Sequence, residues 1–322
     1  MNQTLPIGVA IVSYNTVGLL RDCLASLRSC SLPLRLCVVD NGSTDGSQAM
    51  VRAEFPEVEL IALSENVGFA SGNNLAIQAF LENTEAEIEN RSSTPIPYLL
   101  LLNPDTIVHP GAIESLAAFL TAHPRIGVVS PRLLNLDGTL QRAAFRFPTL
   151  SMTVLDLFPP GEVLPGRLYD SWAHGRYPQE RGDAPFAIDH PLGACMLVRA
   201  TTIAEVGLLD PGYFMYSEEV EWCWRIRRAG WAIWQQPAAH VTHVGGAATR
   251  QFRRQMQVAL HHSRLRFFRQ NYSPLQAAAH RAIIGLGMLR AILLTWRDYF
   301  RGQLPHDELR SRLLAYGEIA NL

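Results

Sequence analysis

A chain of 322 residues holds either one large α/β domain with an appendage or two modest domains. With 48% hydrophobic residues it can bury a sizeable core, and a formal net charge of −1 gives no electrostatic argument for nucleic acid as a partner. All 28 basic residues are arginine, and they are unevenly placed: Arg250 to Arg301 carries ten arginines and one acid, Asp298. Cys23, Cys30, Cys37, Cys195 and Cys223 form no CxxC pair and read as reduced thiols of a cytosolic protein. The apolar run Ile7 to Val12 is too short for a secretion leader and reads as a first strand, so a cytoplasmic location is expected.

That strand ends at Ser13-Tyr14-Asn15, and Leu19, Leu20, Cys23, Leu24 and Leu27 follow at helical spacing. Leu34 to Val39 is the next strand, ending in the polar loop Asp40-Asn41-Gly42-Ser43-Thr44-Asp45 before a helix near Ser47 to Glu54. A carboxylate at a strand end about thirty residues after the first strand is a common ribose or base ligand in nucleotide folds. There is no GxGxxG after the first strand and no GxxxxGK[ST] at all, so neither a dinucleotide fingerprint nor a P-loop is supported.

Val58 to Leu63 is a third strand. Asn66-Val67-Gly68-Phe69-Ala70-Ser71-Gly72-Asn73-Asn74 then precedes a helix through Leu75, Ile77 and Phe80, with Asn74 near its N-cap. Glycines beside amides at a helix start suit close approach to a phosphate or sugar; a plain loop is the alternative. Glu82 to Pro97 is polar and reads as a solvated loop.

Tyr98 to Leu102 reads as a strand buried on both faces in the middle of a parallel sheet. It runs into Asn103-Pro104-Asp105, where proline stops the ladder and leaves a carboxylate at the carboxyl end of a central strand. That position suits a hard divalent cation holding phosphates; a strand-end turn is the bland alternative.

Four strings in register carry a resemblance: Val12-Ser13-Tyr14-Asn15, Val39 to Asp45, Asn66 to Asn74, and Asn103-Pro104-Asp105. Together they resemble a family 2 glycosyltransferase of the GT-A fold, in the branch with bacterial rhamnosyltransferases. The resemblance implies a Rossmann-like α/β/α sandwich with a mixed, mostly parallel sheet. It sets Tyr14 and Asp40 against base and ribose, with Val12, Asn41, Gly68, Asn73 and Asn103 completing the nucleotide surface. Asn103-Pro104-Asp105 would be the variant of the DxD motif, with Asp105 ligating Mg²⁺ or Mn²⁺.

Further on, Ala112 to Leu120 reads as a helix, Gly127 to Pro131 as a strand and Leu136 to Thr139 as a hairpin turn. Phe147 to Asp189, rich in Pro and Gly, reads as a long, partly ordered insertion placed for acceptor binding. Pro191 to Arg199 is a strand and Ile203 to Val206 a short helix. Glu218, Glu219 and Glu221 then open a helix beside Tyr213-Phe214-Met215-Tyr216. Acids at a helix start complement its dipole, and acids beside aromatics also suit a sugar pocket with a raised-pKa carboxylate. The segment resembles the family's Glu-Asp-x-Asp-x-Cys-x-Arg motif with both aspartates replaced by glutamate. By the match Glu219 is the catalytic base, with Glu218 the runner-up. After a last strand, Trp231 to Trp234, the His243-Val244-Gly245-Gly246 string resembles the place of a late metal-ligating histidine, favouring His243 over His240.

Residues 1–250 are therefore expected to form the transferase domain and 251–322 an Arg-rich helical extension. Leu275 to Phe300 is apolar on most sides but broken by arginines into runs far below the roughly 20 residues that span a bilayer. Peripheral contact with an anionic membrane, packing on the catalytic domain, and a homodimer interface all fit. The expected activity is inverting transfer from a nucleotide-sugar donor, dTDP-rhamnose leading, to a saccharide or lipid-linked acceptor of cell-envelope synthesis. The competing classes are a sugar-phosphate nucleotidyltransferase, whose Gly-rich Arg/Lys loop is missing after the first strand, and a non-catalytic nucleotide-sugar-binding relative.

Overall fold

The structure is a computed structural model and describes residues 5–89, 96–159, 171–245 and 253–322. The chain alternates strand and helix at first: β1 (Ile7–Ser13), α1 (Val17–Leu27), β2 (Leu34–Asp40), α2 (Ser47–Glu54), β3 (Glu59–Ala62), α3 (Phe69–Glu89) and β4 (Tyr98–Leu102). There follow β5 (Thr106–Val108), α4 (Ala112–Ala122), β6 (Ile126–Leu134), β7 (Leu140–Gln141), β8 (Ala144–Phe145), α5 (Leu150–Leu157), β9 (Phe186–Ala187) and β10 (His190–Pro191). The chain closes with β11 (Cys195–Arg199), α6 (Ala200–Val206), α7 (Glu218–Arg228), β12 (Ala232–His243), α8 (Arg253–Asn271), α9 (Pro274–Phe300) and α10 (His306–Ala320).

The main sheet runs β3-β2-β1-β4-β11-β6-β12-β5. β3, β2, β1 and β4 are parallel, β11 is antiparallel to both neighbours, and β12 is again parallel to β6. The period-2 pleat sorts each strand between two cores. Leu100 and Leu102 face the cluster built with α1, α2 and α4, whereas Leu99 and Leu101 face the one built with α3, α6 and α7. This is why five consecutive apolar residues make a strand here: both faces are covered, as expected for the sheet's centre.

Several boundaries differ from the sequence reading. Helix α3 starts at Phe69, not beyond Asn74, because the Phe69 N–H donates to the distant Phe214 carbonyl (2.9 Å) and so gives the first turn a partner. Asn74 is inside the helix, where its amide exchanges two hydrogen bonds with the Leu209 backbone (2.8 and 3.0 Å). The helix then runs on to Glu89 through good helix formers; of the expected loop, 90–95 lies outside the described residues. Strand β11 begins at Cys195, since Pro191 pairs with β8 instead. Strand β12 has twelve residues, and a register shift between Gln236 and His240 accommodates Pro237. The hairpin at Leu136–Thr139 forms as expected, setting β7 against β6. Helix α10 lies within the expected helical extension, whose last helix the sequence reading did not delimit.

The insertion from Phe147 to Asp189 is well tied where it is described; 160–170 lies outside. Glu180, fully buried, accepts from the Ala143 and Ala144 N–H groups (2.7 and 3.0 Å) and pairs with Arg142 (3.4 Å).

Of the three C-terminal helices, α8 and α9 pack on the preceding elements and α10 packs on α8 and α9. Phe267 and Phe268 of α8 join Tyr213 and Val220, Arg266 pairs with Asp210 (2.8 Å), and Tyr272 donates to the Pro148 carbonyl (2.6 Å). The expected boundary at 250–251 lies outside the described residues. Helix α9, unlike the short apolar runs counted between its arginines in the sequence, is long and apolar enough as a whole, by length and composition, to cross a bilayer. One side buries Ile284 and Met288, and the other exposes Leu286, Leu289 and Leu293.

Replacing Glu180 by Ala strands two buried backbone donors and removes an ion-pair partner. It should cost about 3 kcal/mol, read as a lowered urea midpoint with an unchanged m-value.

Candidate active site

A cavity of about 640 Å³ opens where the carboxyl ends of β1, β2 and β4 meet the start of α7 and the end of β12. Among the residues singled out in the sequence, Val12, Tyr14, Asn41, Asn103, Asp105, Glu218, Glu219 and His243 line it. Asp40, Gly68 and Asn73 stand behind the wall. Asp40 Oδ1 accepts from the Ser43 N–H (2.9 Å) and Gln48 Nε2 (2.8 Å), while its buried Oδ2 has no partner among the described residues. Gly68 adopts φ +86°, and a Cβ there would stand 2.4 Å from the Phe214 carbonyl oxygen, so only glycine allows this close approach. Asn73 donates to the Phe69 carbonyl within α3 (2.9 Å).

Backbone bonds clamp the Asn103–Asp105 turn on both sides. The Asn103 N–H donates to the Ala194 carbonyl (2.8 Å), and the Val244 N–H donates to the Asp105 carbonyl (2.9 Å). Asp105 is thereby held with Oδ1 3.4 Å from His243 Nε2. The orientation of that imidazole is set by Gln141. Gln141 Nε2 donates to Asn135 Oδ1 (3.1 Å) and to the His243 carbonyl (3.2 Å), which turns Oε1 onto His243 Nδ1 at 2.7 Å. The Nδ1 atom must then carry a proton, leaving Nε2 of the neutral ring as a bare acceptor in front of a carboxylate. Two acceptors so placed need a proton or a cation. Nitrogen and carboxylate oxygen fit Mn²⁺ or Mg²⁺. Among the described residues no third His, Cys, Asp or Glu joins them. A cation here would therefore take its remaining ligands from diphosphate and water, as Mg²⁺ commonly does. His240, by contrast, is not in the cavity lining.

The three glutamates of α7 divide by role. Glu221 is locked in a bidentate pair with Arg225 (2.8–3.0 Å), which also donates to the Val206 and Leu208 carbonyls (2.6 and 2.7 Å). Glu218 is buried and Glu219 partly exposed to the cavity; one carboxylate oxygen of each has no partner among the described residues. Burial, and then the neighbouring Glu219 charge, push the Glu218 carboxyl well above the usual range. Burial also raises Glu219 from 4.5 to about 7, against the pull of backbone N–H groups including that of Gly193. The chain reaches this pair through Tyr216 and Ser217, both left-handed (φ 69° and 64°), a conformation that costs side-chain-bearing residues roughly 1–2 kcal/mol each. Ser263 of α8 braces the bend by donating to the Met215 carbonyl (2.8 Å).

Sequence reasoning missed Gln141, Gly193 and two residues of α8 that line the cavity, Gln255 and Met256. For Gln141 the only signal is long-range: β7 pairs with β6, which pairs with β12.

A mixed, mostly parallel sheet with a carboxylate turn at the end of a central strand is the GT-A arrangement of nucleotide-sugar transferases. The family profile described as Glycosyl transferase family 2 matches residues 8–199, and the chain belongs to that family. It is 30% identical over 254 residues to the N-acetylglucosaminyl-diphospho-decaprenol L-rhamnosyltransferase of Mycobacterium tuberculosis, covering 76% of each chain. It is 34% identical over 189 residues to rhamnosyltransferase WbbL of Escherichia coli, covering 58% of this chain and 64% of that one. Among solved structures, a mannosyltransferase from Pyrobaculum calidifontis, in complex with GDP-Man and Mn²⁺, superposes over 99% of this chain and 86% of its own (TM-score 0.52, 15% identity). GalNAc-T7 with UDP, GalNAc and Mn²⁺ does so over 74% of this chain and 43% of its own (TM-score 0.53, 16% identity). These likenesses bear on the fold, which is GT-A.

Carboxyls whose pKa is raised on folding hold protons that the unfolded chain releases. Their contribution to stability is therefore lost as pH rises above about 4.5, through about 7 for Glu219, with Glu218 raised in the same direction. Glu218→Gln should raise the urea midpoint at pH 8 and change it little at pH 4.5. A gain independent of pH would contradict this ionisation scheme.

Proposed function

We propose that the chain is an inverting, cation-dependent transferase that moves a sugar, rhamnose from dTDP-rhamnose, to a hydroxyl of a lipid-linked saccharide. The observation that carries the reading is one cavity with the Asp105–His243 carboxylate–imidazole pair on one wall and a carboxyl of raised pKa, Glu219, on the other. The donor sugar is supported by two relatives, both rhamnosyltransferases, and the acceptor class by one of them.

In this reading Tyr14 and Asn41 flank the base, and Asp40, behind the wall, supplies its buried Oδ2, partnerless among the described residues, as the acceptor for a ribose hydroxyl or base N–H. Val12, Gly68 and Asn73 shape the surface, and Asn103 turns its partnerless Oδ1 to the donor. Asp105 and His243 hold Mg²⁺ or Mn²⁺, which when bound neutralises the charge developing on the diphosphate. Glu219 takes the proton of the acceptor hydroxyl, and that oxygen attacks the anomeric carbon. As the new C–O bond forms, the bond to the diphosphate breaks on the opposite face, and its electron pair leaves with the nucleoside diphosphate. Residues 251–322 are read as an extension that carries α9 towards the membrane where such acceptors reside.

The test is a panel of nucleotide sugars screened for binding and transfer with and without Mn²⁺; indifference to every donor would overturn the reading. Turnover should rise with pH through about 7. Glu219→Gln should lower it on the order of 10²-fold or more while donor binding is kept. If Glu218→Gln abolishes turnover and Glu219→Gln does not, the base is Glu218. Gln141→Leu frees the tautomer of His243 and should weaken Mn²⁺-dependent dTDP binding by about 10- to 100-fold, leaving metal-free binding unchanged.

A further inference from the structure

Helix α9 turns one side to the protein and leaves the opposite side bare, and the bare side is apolar from end to end. Leu275, Leu286, Leu289, Leu293, Trp296 and Phe300 are all exposed, Leu275 and Phe300 by 80% and 78%. At 3.6 residues per turn they fall within one sector of the helix about 100° wide and form a stripe about 38 Å long. The other exposed positions in that sector are Ala278, Ala282 and Gly285, so no polar side chain interrupts the stripe. Large apolar side chains scattered singly over a surface need no explanation; six aligned on one helix mark a contact surface. The helix also reaches the neighbourhood of the reaction centre, because its His280 lines a second, smaller cavity of about 270 Å³ that Glu219 lines too.

The charges beside the stripe say what covers it. Helical spacing sets Arg281 on one edge and Arg297 on the other, with Arg301 just past the helix end. Arg297 is matched by Asp298 (2.7 Å), the one acid of α9, whereas the exposed guanidinium groups of Arg281 and Arg301 have no partner among the described residues. Trp296 stacks on Phe300 (5.6 Å) beside Tyr299, a cluster of the kind that settles at the headgroup level of a membrane. An apolar face with an aromatic end and an unmatched arginine towards each end suits a bilayer with anionic headgroups. A second copy would double the arginines along the seam and bring no free acid of α9 to answer them. The packed side decides how α9 meets the bilayer. Ile284 and Met288 are buried with Leu265 and Ile319, a Cβ on Gly287 would stand 2.8 Å from the Leu157 side chain of α5, and Arg290 donates to the Leu157 carbonyl (3.2 Å). A helix fixed in this way can lie on a bilayer but cannot cross one without unpacking that side.

We propose that α9 is a membrane-docking surface that lies in the plane of an anionic bilayer, with Leu286, Leu289, Leu293, Trp296 and Phe300 in the acyl region and Arg281 and Arg301 at the lipid phosphates. This rests on the reading of residues 251–322 as directed to the membrane, and on no role of the donor or the base.

The test uses the full chain, without donor or acceptor, and vesicles of phosphatidylcholine alone or mixed with phosphatidylglycerol. The wild type should bind the anionic vesicles at least about tenfold more tightly than the neutral ones, a preference that salt reduces. Arg281→Gln and Arg301→Gln should each weaken binding to anionic vesicles by about fivefold and leave the neutral ones unaffected. Leu289→Gln combined with Leu293→Gln should weaken binding to both at least about tenfold. All these side chains are exposed, so the variants should keep the wild-type urea midpoint. Lipids brominated near the headgroup end of the acyl chain should quench fluorescence more than lipids brominated at the chain terminus, and Trp296→Phe should remove the difference. Binding indifferent to lipid charge, or unchanged in the leucine pair, overturns the docking surface. So does quenching strongest at the bilayer centre, which indicates a spanning helix. A dimer in lipid-free solution that the leucine pair dissolves gives the stripe to a second copy and overturns it as well. Transfer, measured separately, keeps the two readings apart. A protein that docks as described but transfers no sugar defeats the transferase reading, whereas an active transferase that ignores vesicles defeats the docking surface.

Discussion

The site depends on how the turn after β4 is held. A strand buried on both faces can end only where its backbone groups find other partners, and here they come from two distant places. The Ala194 carbonyl receives the Asn103 N–H, and the Val244 N–H reaches back to the Asp105 carbonyl. Those two bonds join the central strand to the segment before β11 and to the end of β12. They bring Asp105, His243 and Gly193, beside Glu219, around one space. A carboxylate at a strand end is commonplace; one clamped against an imidazole of fixed tautomer is a built feature.

The α7 glutamates show how environment separates three identical side chains. Glu221 has a guanidinium and remains a structural ion. Among the described residues no cation pairs with Glu218 or Glu219, which crowd each other and are burdened by burial. Folding thus stores a proton affinity near the cavity, maintained by a backbone bend that no single residue favours. Such local strain is typical where position matters more than stability.

Much of this was legible in the chain. The strands β1, β2 and β4 announce themselves through unbroken apolar runs, and the short strings at their ends carry the family likeness. What escaped has a physical cause in each case. The start of α3 depends on the Phe214 carbonyl, nearly 150 residues away in the chain, and so does not show in a local N-cap pattern. The length of β12 is hidden by Pro237, which a register shift absorbs. Gln141 sits on a two-residue strand whose neighbours are set by pairing across the sheet, and the second cavity is walled by segments scattered from Phe145 to His280. Local pattern reports elements; it does not report which of them meet.

The hydrogen bond from Ser263 to Met215 bears on where this protein can be cut. The family profile ends at residue 199, before the glutamates of α7, and α8 looks like an accessory to it. Yet α8 fastens the bend that delivers Glu218 and Glu219 and packs Phe267 and Phe268 beneath it. The cooperative unit is therefore longer than the recognisable one. A fragment trimmed to residues 8–199 would lose α7 and the Val244 bond to the Asp105 carbonyl, and one that kept both but stopped before α8 would still lack the brace on the bend before Glu218, so evolution can vary the tail's outer face far more freely than its inner one.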